Sequence, residues 1–285
     1  MNFRFIDGQL VGERQPSLEC SDAAFMLGEG AFETMLVRDG KVLRLDRHKE
    51  RLDCGLRNLE MQAFDWASVK SCLDGLKSSS LGEEVILRVQ VSRGPLVGGF
   101  GSPARGSQTV FVSISDAPER PDHLRGIVVD WPRRASGGLG NEFKCLGYAN
   151  ELAARRRAFE MGADIAIMLG SDGNVVCADT ANLYIVTNQV IVTPKISSGA
   201  LPGTVRAALP ELLEMEGYKY READISRDAL QQAEGVFLTN AFLGACLVMD
   251  AGAGDIPKPT HRIADFVGRL REALLDIGRY GHALE

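Results

Sequence analysis

Three short stretches of the chain carry residue types and spacings suited to chemistry. The first surrounds Lys144. Seven of the eight lysines sit in turn-like or strongly polar settings. Lys144 instead follows a loop containing Gly137, Gly138, Gly140 and Asn141, and directly precedes a predicted helix that begins Cys145-Leu146-Gly147-Tyr148. A lysine at such a junction, among apolar neighbours, can lose part of its preference for the charged form and act as the nucleophile of a Schiff base. Equally, its stem can snorkel from a partly buried helix start, and on Lys144 alone that plainer reading is favoured. The second stretch is Ala200-Leu201-Pro202-Gly203-Thr204-Val205-Arg206, which closes an irregular segment and opens a predicted helix. Free backbone N–H groups and the positive end of a helix suit a phosphate, although an ordinary Pro-Gly helix start is the commoner reading. The third is Arg51, on a helix in Asp46-Arg47-His48-Lys49-Glu50-Arg51-Leu52, where it either clamps a phosphate or lies on a solvated basic face.

The elements that must position these residues belong to an ordinary globular chain. Its 285 residues are 45% hydrophobic and 25% charged, with a net charge of -6. That mixture excludes a disordered chain, and the acidic balance argues against a general nucleic-acid binder. A chain of this length buries roughly three quarters of its unfolded surface, so it needs no disulfide or metal staple. No apolar run reaches the roughly 20 residues of a membrane span, and Met1-Asn2-Phe3-Arg4 lacks the layout of a signal peptide. Cys20, Cys54, Cys72, Cys145, Cys177 and Cys246 are scattered without a C-x-x-C pair, and His48, His123, His261 and His282 are equally dispersed. This reads as reduced thiols in a cytoplasmic protein with no metal site.

In the first half, Phe3–Ile6 and Gln9–Val11 are predicted to pair across Asp7-Gly8. Phe32–Val37 and Lys41–Leu45 are predicted to form a hairpin about Asp39-Gly40. Asp46 is placed as the N-cap of a helix carrying Leu52, Leu56 and Leu59, and a second helix is expected over about Asp65–Lys77. Strands at Glu84–Ser92 and Thr109–Ile114 flank the glycine-rich loop Gly94–Gly101. Residues 1–115 are therefore expected to form a small α+β domain, and the proline-bearing stretch 116–124 a linker. Residues 125–285 are expected to form the larger domain. It holds a strand at Gly126–Trp131, then a helix at Tyr148–Met161 with a solvated Arg155-Arg156-Arg157 face. A meander follows at Ile165–Leu169, Asn174–Val176, Asn182–Val186 and Val190–Val192. A helix from Gly203 to about Glu216 follows, then another after Asp224, a strand at Val236–Thr239, and a last helix from Thr260 to about Ile277.

Taken together in order, these pieces resemble the class IV aminotransferases, the fold type IV enzymes that depend on pyridoxal phosphate. That group includes branched-chain and D-amino-acid aminotransferases, (R)-selective amine transaminases and aminodeoxychorismate lyase. The resemblance covers nearly the whole chain. It runs through Phe5-Ile6-Asp7-Gly8, Ser21-Asp22, Leu27-Gly28-Glu29-Gly30-Ala31-Phe32-Glu33-Thr34, His48-x-x-Arg51-Leu52 and Val91-Ser92-Arg93-Gly94. It continues through Lys144-x-Leu146, Thr180-Ala181-Asn182-Leu183, Leu201-Pro202-Gly203-Thr204-Val205-Arg206 and Phe237-Leu238-Thr239-Asn240-Ala241. It implies a two-domain α+β or α/β fold, with a small N-terminal domain and a larger, β-rich C-terminal one. It implies pyridoxal 5'-phosphate as cofactor, small-molecule substrates and a homodimer. Lys144 falls on the Schiff-base lysine, which also shuttles the substrate proton. Arg51 falls on the phosphate-binding arginine. Gly203, Thr204 and Val205 fall on the turn whose N–H groups meet the phosphate, and Asn240 and Ala241 on a second phosphate-side loop. Asn182 lies on the cofactor-side strand, while Phe32 and Arg93 fall at the substrate.

There are departures from the family pattern. The family has a glutamate five residues before the asparagine, pairing with the cofactor's pyridine nitrogen. Here that position is Cys177, and a thiol cannot supply the same charge. Asp179, two residues on, is a candidate substitute if the strand bulges. Val205 stands where many relatives place a threonine, and Ala23 stands where an arginine is usual. The resemblance implies an aminotransferase acting through a Lys144 aldimine on an amino acid or amine donor and a 2-oxo acid. The alternative is the lyase that forms 4-aminobenzoate and pyruvate from 4-amino-4-deoxychorismate, to which Asn240-Ala241 points. A third reading is a relative that kept the fold and lost the chemistry, for which Cys177 is the support.

Overall fold

A computed structural model describes residues 2–6, 9–11, 18–74, 82–96 and 108–284. The expected turn at Asp7-Gly8, the end of the expected second helix at Lys77 and most of the glycine-rich loop lie outside the described residues. In chain order the first elements are β1 (Asn2–Ile6), β2 (Gln9–Val11), α1 (Ala23–Leu27), β3 (Gly30–Arg38), β4 (Lys41–Leu43), α2 (Leu45–Asn58), α3 (Ala67–Asp74), β5 (Glu84–Ser92) and β6 (Thr109–Asp116). There follow β7 (His123–Arg134), α4 (Ala149–Glu160), β8 (Ile165–Gly170), β9 (Val175–Ala178), β10 (Asn182–Thr187) and β11 (Val190–Thr193). The remainder are α5 (Leu209–Met215), β12 (Lys219–Glu222), α6 (Arg227–Gln231), β13 (Gly235–Asn240), β14 (Gly244–Asp250), α7 (His261–Leu274), α8 (Ile277–Tyr280) and β15 (Gly281–His282). No helix among the described residues is long and apolar enough to cross a membrane.

Contacts divide the chain into two compact units. One comprises Met1–Pro118, Glu142–Gly147 and Ile277–Glu285; the other comprises Glu119–Asn141 and Tyr148–Asp276. The grouping thus differs from a linear division. Glu142–Gly147 and Ile277–Glu285 join the N-terminal unit because they make strand pairings there, Cys145 with Ala31 and Gly281 with Leu43. The expected linker also shrinks, since Asp116 ends β6 and His123 and Leu124 already belong to β7.

The N-terminal unit is a seven-stranded sheet in the order β15-β4-β3-β5-β6-β1-β2, antiparallel throughout. The β3–β4 turn has Asp39 at φ 52° and Gly40 at φ 71°, the left-handed pair that matches strand twist in a two-residue hairpin. Along β5, Val85, Leu87, Val89 and Val91 are buried and alternate with half-buried residues. They form one cluster with Leu45, Leu52 and Leu56 of α2, so the helix covers one face of the sheet. Asp46 is not the cap of α2. Arg44, at φ 56°, precedes the helix, and Asp46 lies in its first turn, where its charge suits the helix dipole.

The C-terminal unit has eight strands in the order β12-β11-β10-β13-β14-β7-β8-β9. The pairs β11–β12, β14–β7 and β7–β8 are parallel. The expected meander does not form. β9 pairs with β8, whereas β10 pairs with β11 and β13. The reason lies in β8, buried at every position as a strand covered on both faces is, which takes β7 on one side and β9 on the other. Beyond Gly203 there is no continuous helix. A turn leads into a 3-10 segment, Arg206–Ala208, and then into α5, because Pro210 lacks the N–H that an unbroken helix would use there. The expected last helix likewise ends at Leu274, and α8 is separate from it.

Candidate active site

Lys144 sits on an extended segment, not at a helix start; α4 begins only at Ala149. The segment runs beside the first residues of β3. Phe32 donates its N–H to the Lys144 carbonyl (2.8 Å), and Leu146 donates to the Gly30 carbonyl (3.0 Å). Backbone pairing here overrides the local helix signal. The anchor is Phe143, fully buried against α2, where a Cβ on Gly55 would lie 2.6 Å from the ring. Gly30 is required for a similar reason: a Cβ there would stand 2.3 Å from the Val91 carbonyl and 2.6 Å from Leu146. Lys144 is half-buried, and its Nζ lies 4.8 Å from the centroid of the Phe32 ring. The Arg88 guanidinium is 4.4 Å from the same ring, so two cations meet one aromatic. The structure therefore brings Phe32 and Lys144 together.

Arg51 does not lie on a solvated face. Its Nε and one Nη donate to the two oxygens of Glu33, each at 2.7 Å. His48, one turn earlier on α2, places Nδ1 2.6 Å from Glu33, donating to the carboxylate. Glu33 and His48 are fully buried. Burial alone would raise the Glu33 carboxyl, but Arg51 and His48 more than offset this and hold it at about 2. Burial lowers the pKa of His48 against the opposing pull of Glu33, which favours a neutral ring. The signal was present in the sequence as an acid within the apolar run of β3, followed by His48-x-x-Arg51. Arg93 takes a different position. It donates to Glu29 (2.7 Å) and to the carbonyls of Leu59 and Glu60, so its three nitrogens tie the segment after β5 to the residues just before β3 and to the end of α2.

In the C-terminal unit, Asn182 donates to the Leu201 carbonyl (2.8 Å), fixing the turn that leads to Thr204 and Val205. A Cβ at position 203 would lie 2.0 Å from the Asn182 side-chain oxygen, so a larger residue there would displace the side chain that bonds Leu201. Thr204, Val205 and Arg206 are buried. Arg206 anchors the turn from below through Thr193 (3.2 Å) and Glu222 (2.8 Å). Asn240 shapes the loop that holds Ala241: its Oδ1 accepts from the N–H groups of Phe242 (3.0 Å) and Leu243 (2.7 Å), and its amide reaches the Thr180 carbonyl (3.3 Å).

Cys177 is buried on β9 opposite Met168, and burial pushes its thiol up to about 11. Asp179 is committed elsewhere. Arg155 grips it (2.6 and 3.2 Å), the Ala166 N–H donates to it (3.0 Å), and so does the Thr180 hydroxyl (3.0 Å). Arg155 is accordingly half-buried and engaged, and the Asp179 carboxylate already has three partners. Sequence reasoning missed the ion pair between Arg134 at the end of β7 and Glu151 in the first turn of α4, the helix whose Ala154 and Ala158 pack with Cys177.

The family model described as "Amino-transferase class IV" matches residues 30–248. The chain is 27% identical to a bifunctional aminodeoxychorismate lyase / D-amino acid transaminase of Mycobacterium tuberculosis, over 95% of this chain and 97% of that one. It is 27% identical to an aminodeoxychorismate lyase of Vibrio harveyi, over 92% and 96%. Among solved structures, a hypothetical aminotransferase from M. tuberculosis in its PLP-bound form superposes with a TM-score of 0.83 at 27% identity. That match covers 97% of this chain and all of the other.

Proposed function

Because the chain belongs to the class IV aminotransferases, enzymes that depend on pyridoxal phosphate, we propose that it moves the amino group of an amino acid or amine to a 2-oxo acid, with Lys144 as the catalytic amine. The observation that carries this reading is the built setting of Lys144: a half-buried amine on a segment pinned by Phe143 and by pairing with β3. When bound, the cofactor supplies an aldehyde that accepts the amino group and a ring that draws electrons from the substrate carbon. Lys144 would hold the cofactor at that aldehyde and would move the proton at the donor's α-carbon. The Thr204 and Val205 N–H groups, on a turn fixed by Asn182 and Gly203, hold the phosphate. Arg51, its fork oriented by Glu33, would supply a positive charge to the phosphate. The loop of Asn240 and Ala241 lies on the phosphate side, and Phe32 lies against the substrate. The phosphate and aldehyde ends thus have suitable partners. The ring-nitrogen end meets Cys177, where a carboxylate would be usual. Arg93, with its nitrogens engaged, is left out of the substrate contacts.

The test is a donor screen of the holoenzyme with D- and L-alanine, L-glutamate, branched-chain amino acids and an (R)-amine, read by the change in the cofactor's visible band. At least one donor converts it, and Lys144→Ala abolishes conversion while leaving the protein folded. Borohydride fixation of the cofactor to another lysine would overturn the assignment. A lyase reading has its own support in Asn240-Ala241 and in a relative of similar length that carries both activities in its name. Release of 4-aminobenzoate and pyruvate from 4-amino-4-deoxychorismate, with no donor converted, would decide for it. The active form is proposed to be a homodimer, to which the exposed Phe25, Met26 and Leu27 of α1 lend support; light scattering checks it.

A further inference from the structure

The surroundings of Cys177 lie wholly within the C-terminal unit. Its side chain shares a buried cluster with Val129 of β7, Met168 of β8, and Ala154 and Ala158 of α4. Glu151 lies on the same buried face of α4, three residues before Ala154. Its carboxylate is paired with the Arg134 guanidinium, and the two side chains are only 8% and 15% exposed. The other donors of Arg134 go to the Gly199 carbonyl (3.0 and 3.2 Å) and to Asn141 (3.2 Å). Cys177 thus packs on the same buried face of α4 that carries Glu151, and Arg134 reaches that face through its pair with Glu151; each of Arg134 and Cys177 also affects the other's ionisation. An arginine therefore stands beside position 177, and the carboxylate that balances it arrives from a helix and not from β9.

Resting on the cofactor reading above, we propose that Glu151 has taken over from residue 177 the charge balance of Arg134, so that position 177 offers the ring nitrogen a neutral thiol and that nitrogen carries no proton. An acid at 177 beside the existing Glu151 would set two carboxylates on one guanidinium, with like charges repelling in a buried place. A thiol avoids that conflict. Being neutral, it is a weak donor suited to the lone pair of an unprotonated pyridine nitrogen, whereas a protonated ring requires an anion. Glu151 is thus a positioning residue. It sets which protonation state the site accepts without touching the reacting atoms.

The test has two readouts. The first is a stability cycle on the cofactor-free protein with Cys177→Asp, Glu151→Gln and the double variant; Cys177→Glu serves as a second, larger acid. Each single change is expected to lower Tm by several degrees, and the double variant to recover most of the loss, because one acid then faces one arginine. The second is the 15N signal of cofactor labelled at its ring nitrogen and bound to each protein. The wild type is expected at the unprotonated pyridine position, and Cys177→Asp/Glu151→Gln at the pyridinium position. Purely additive Tm losses, or a pyridinium signal in the wild type, would overturn the proposal. Absence of bound cofactor from every protein, wild type included, would overturn the functional reading instead, while the cofactor-free cycle still decides the exchange of carboxylates.

Discussion

Two half-buried arginines, one in each unit, are handled in opposite ways. Arg51 stands on a helix and grips a strand carboxylate, Glu33, that is sealed from water and also bonded to His48. Arg134 stands at a strand end and grips a helix carboxylate, Glu151, with a thiol beside the pair. In the first cluster the acid is doubly satisfied and stays ionised into strongly acidic solution. In the second the charges balance one to one, and the third group remains neutral. What differs is where the acid sits: on a strand, gripped from a helix, in the first cluster, and on a helix, gripped from a strand end, in the second.

Breaking the first cluster is expected to have the largest effect. Arg51→Ala strands a buried carboxylate, and losing one partner of such a pair costs about 3–5 kcal/mol. Chemical denaturation of the cofactor-free protein measures it, and adding Glu33→Gln should return a good part of the loss. This tempers an expectation that the arginine serves the cofactor alone. If Arg51→Ala left stability unchanged and only weakened cofactor binding, the comparison would collapse. Arg134→Met is expected to cost less, about 2 kcal/mol, because Glu151 keeps some access to water and the loss is mainly of charged hydrogen bonds. An equal or greater loss than for Arg51→Ala would show the second pair to be as sealed as the first.

A third test uses acid. The folded pKa of Glu33 is depressed from 4.5 to about 2, so its contribution is present above the unfolded value and is lost as pH falls through that interval. His48 is also depressed, so below about pH 6.5 the unfolded chain takes up a proton that the folded state resists, and stability falls. Denaturation midpoints followed from pH 7 to pH 3 should fall in both steps for the wild type. Glu33→Gln should flatten the lower step, while Glu151→Gln should leave that step in place. A lower step that survives Glu33→Gln would assign the acid sensitivity elsewhere.

Much of the framework was legible because β3, β4 and β5 follow local rules: alternation, a left-handed two-residue turn, and leucines at helical spacing on α2. Other parts answer to partners distant in sequence. Cys145 and Leu146 read as a helix start, yet backbone groups of Gly30 and Ala31 draw that segment into strand pairing. β12 is a run of exposed, polar residues held by parallel pairing with β11, and β14 was not anticipated at all. At the site, Lys144, Arg51 and the Gly203 turn were found by motif. Arg134 and Glu151 were not, since they lie on different elements and share no period or spacing that a linear reading can weigh.

The placement of Glu142–Gly147 and Ile277–Glu285 bears on how the protein is made. β4 finds its outer neighbour, β15, only after residues 119–276 have been made, and β3 gains its pairing with residues 144–146 only after residues 119–141. During synthesis the N-terminal sheet is therefore exposed along one edge for a long interval, and such an edge invites pairing with other chains. Ring closures this long slow a fold more than they weaken it. β15, two residues long, acts in effect as a latch made long after the strand it covers.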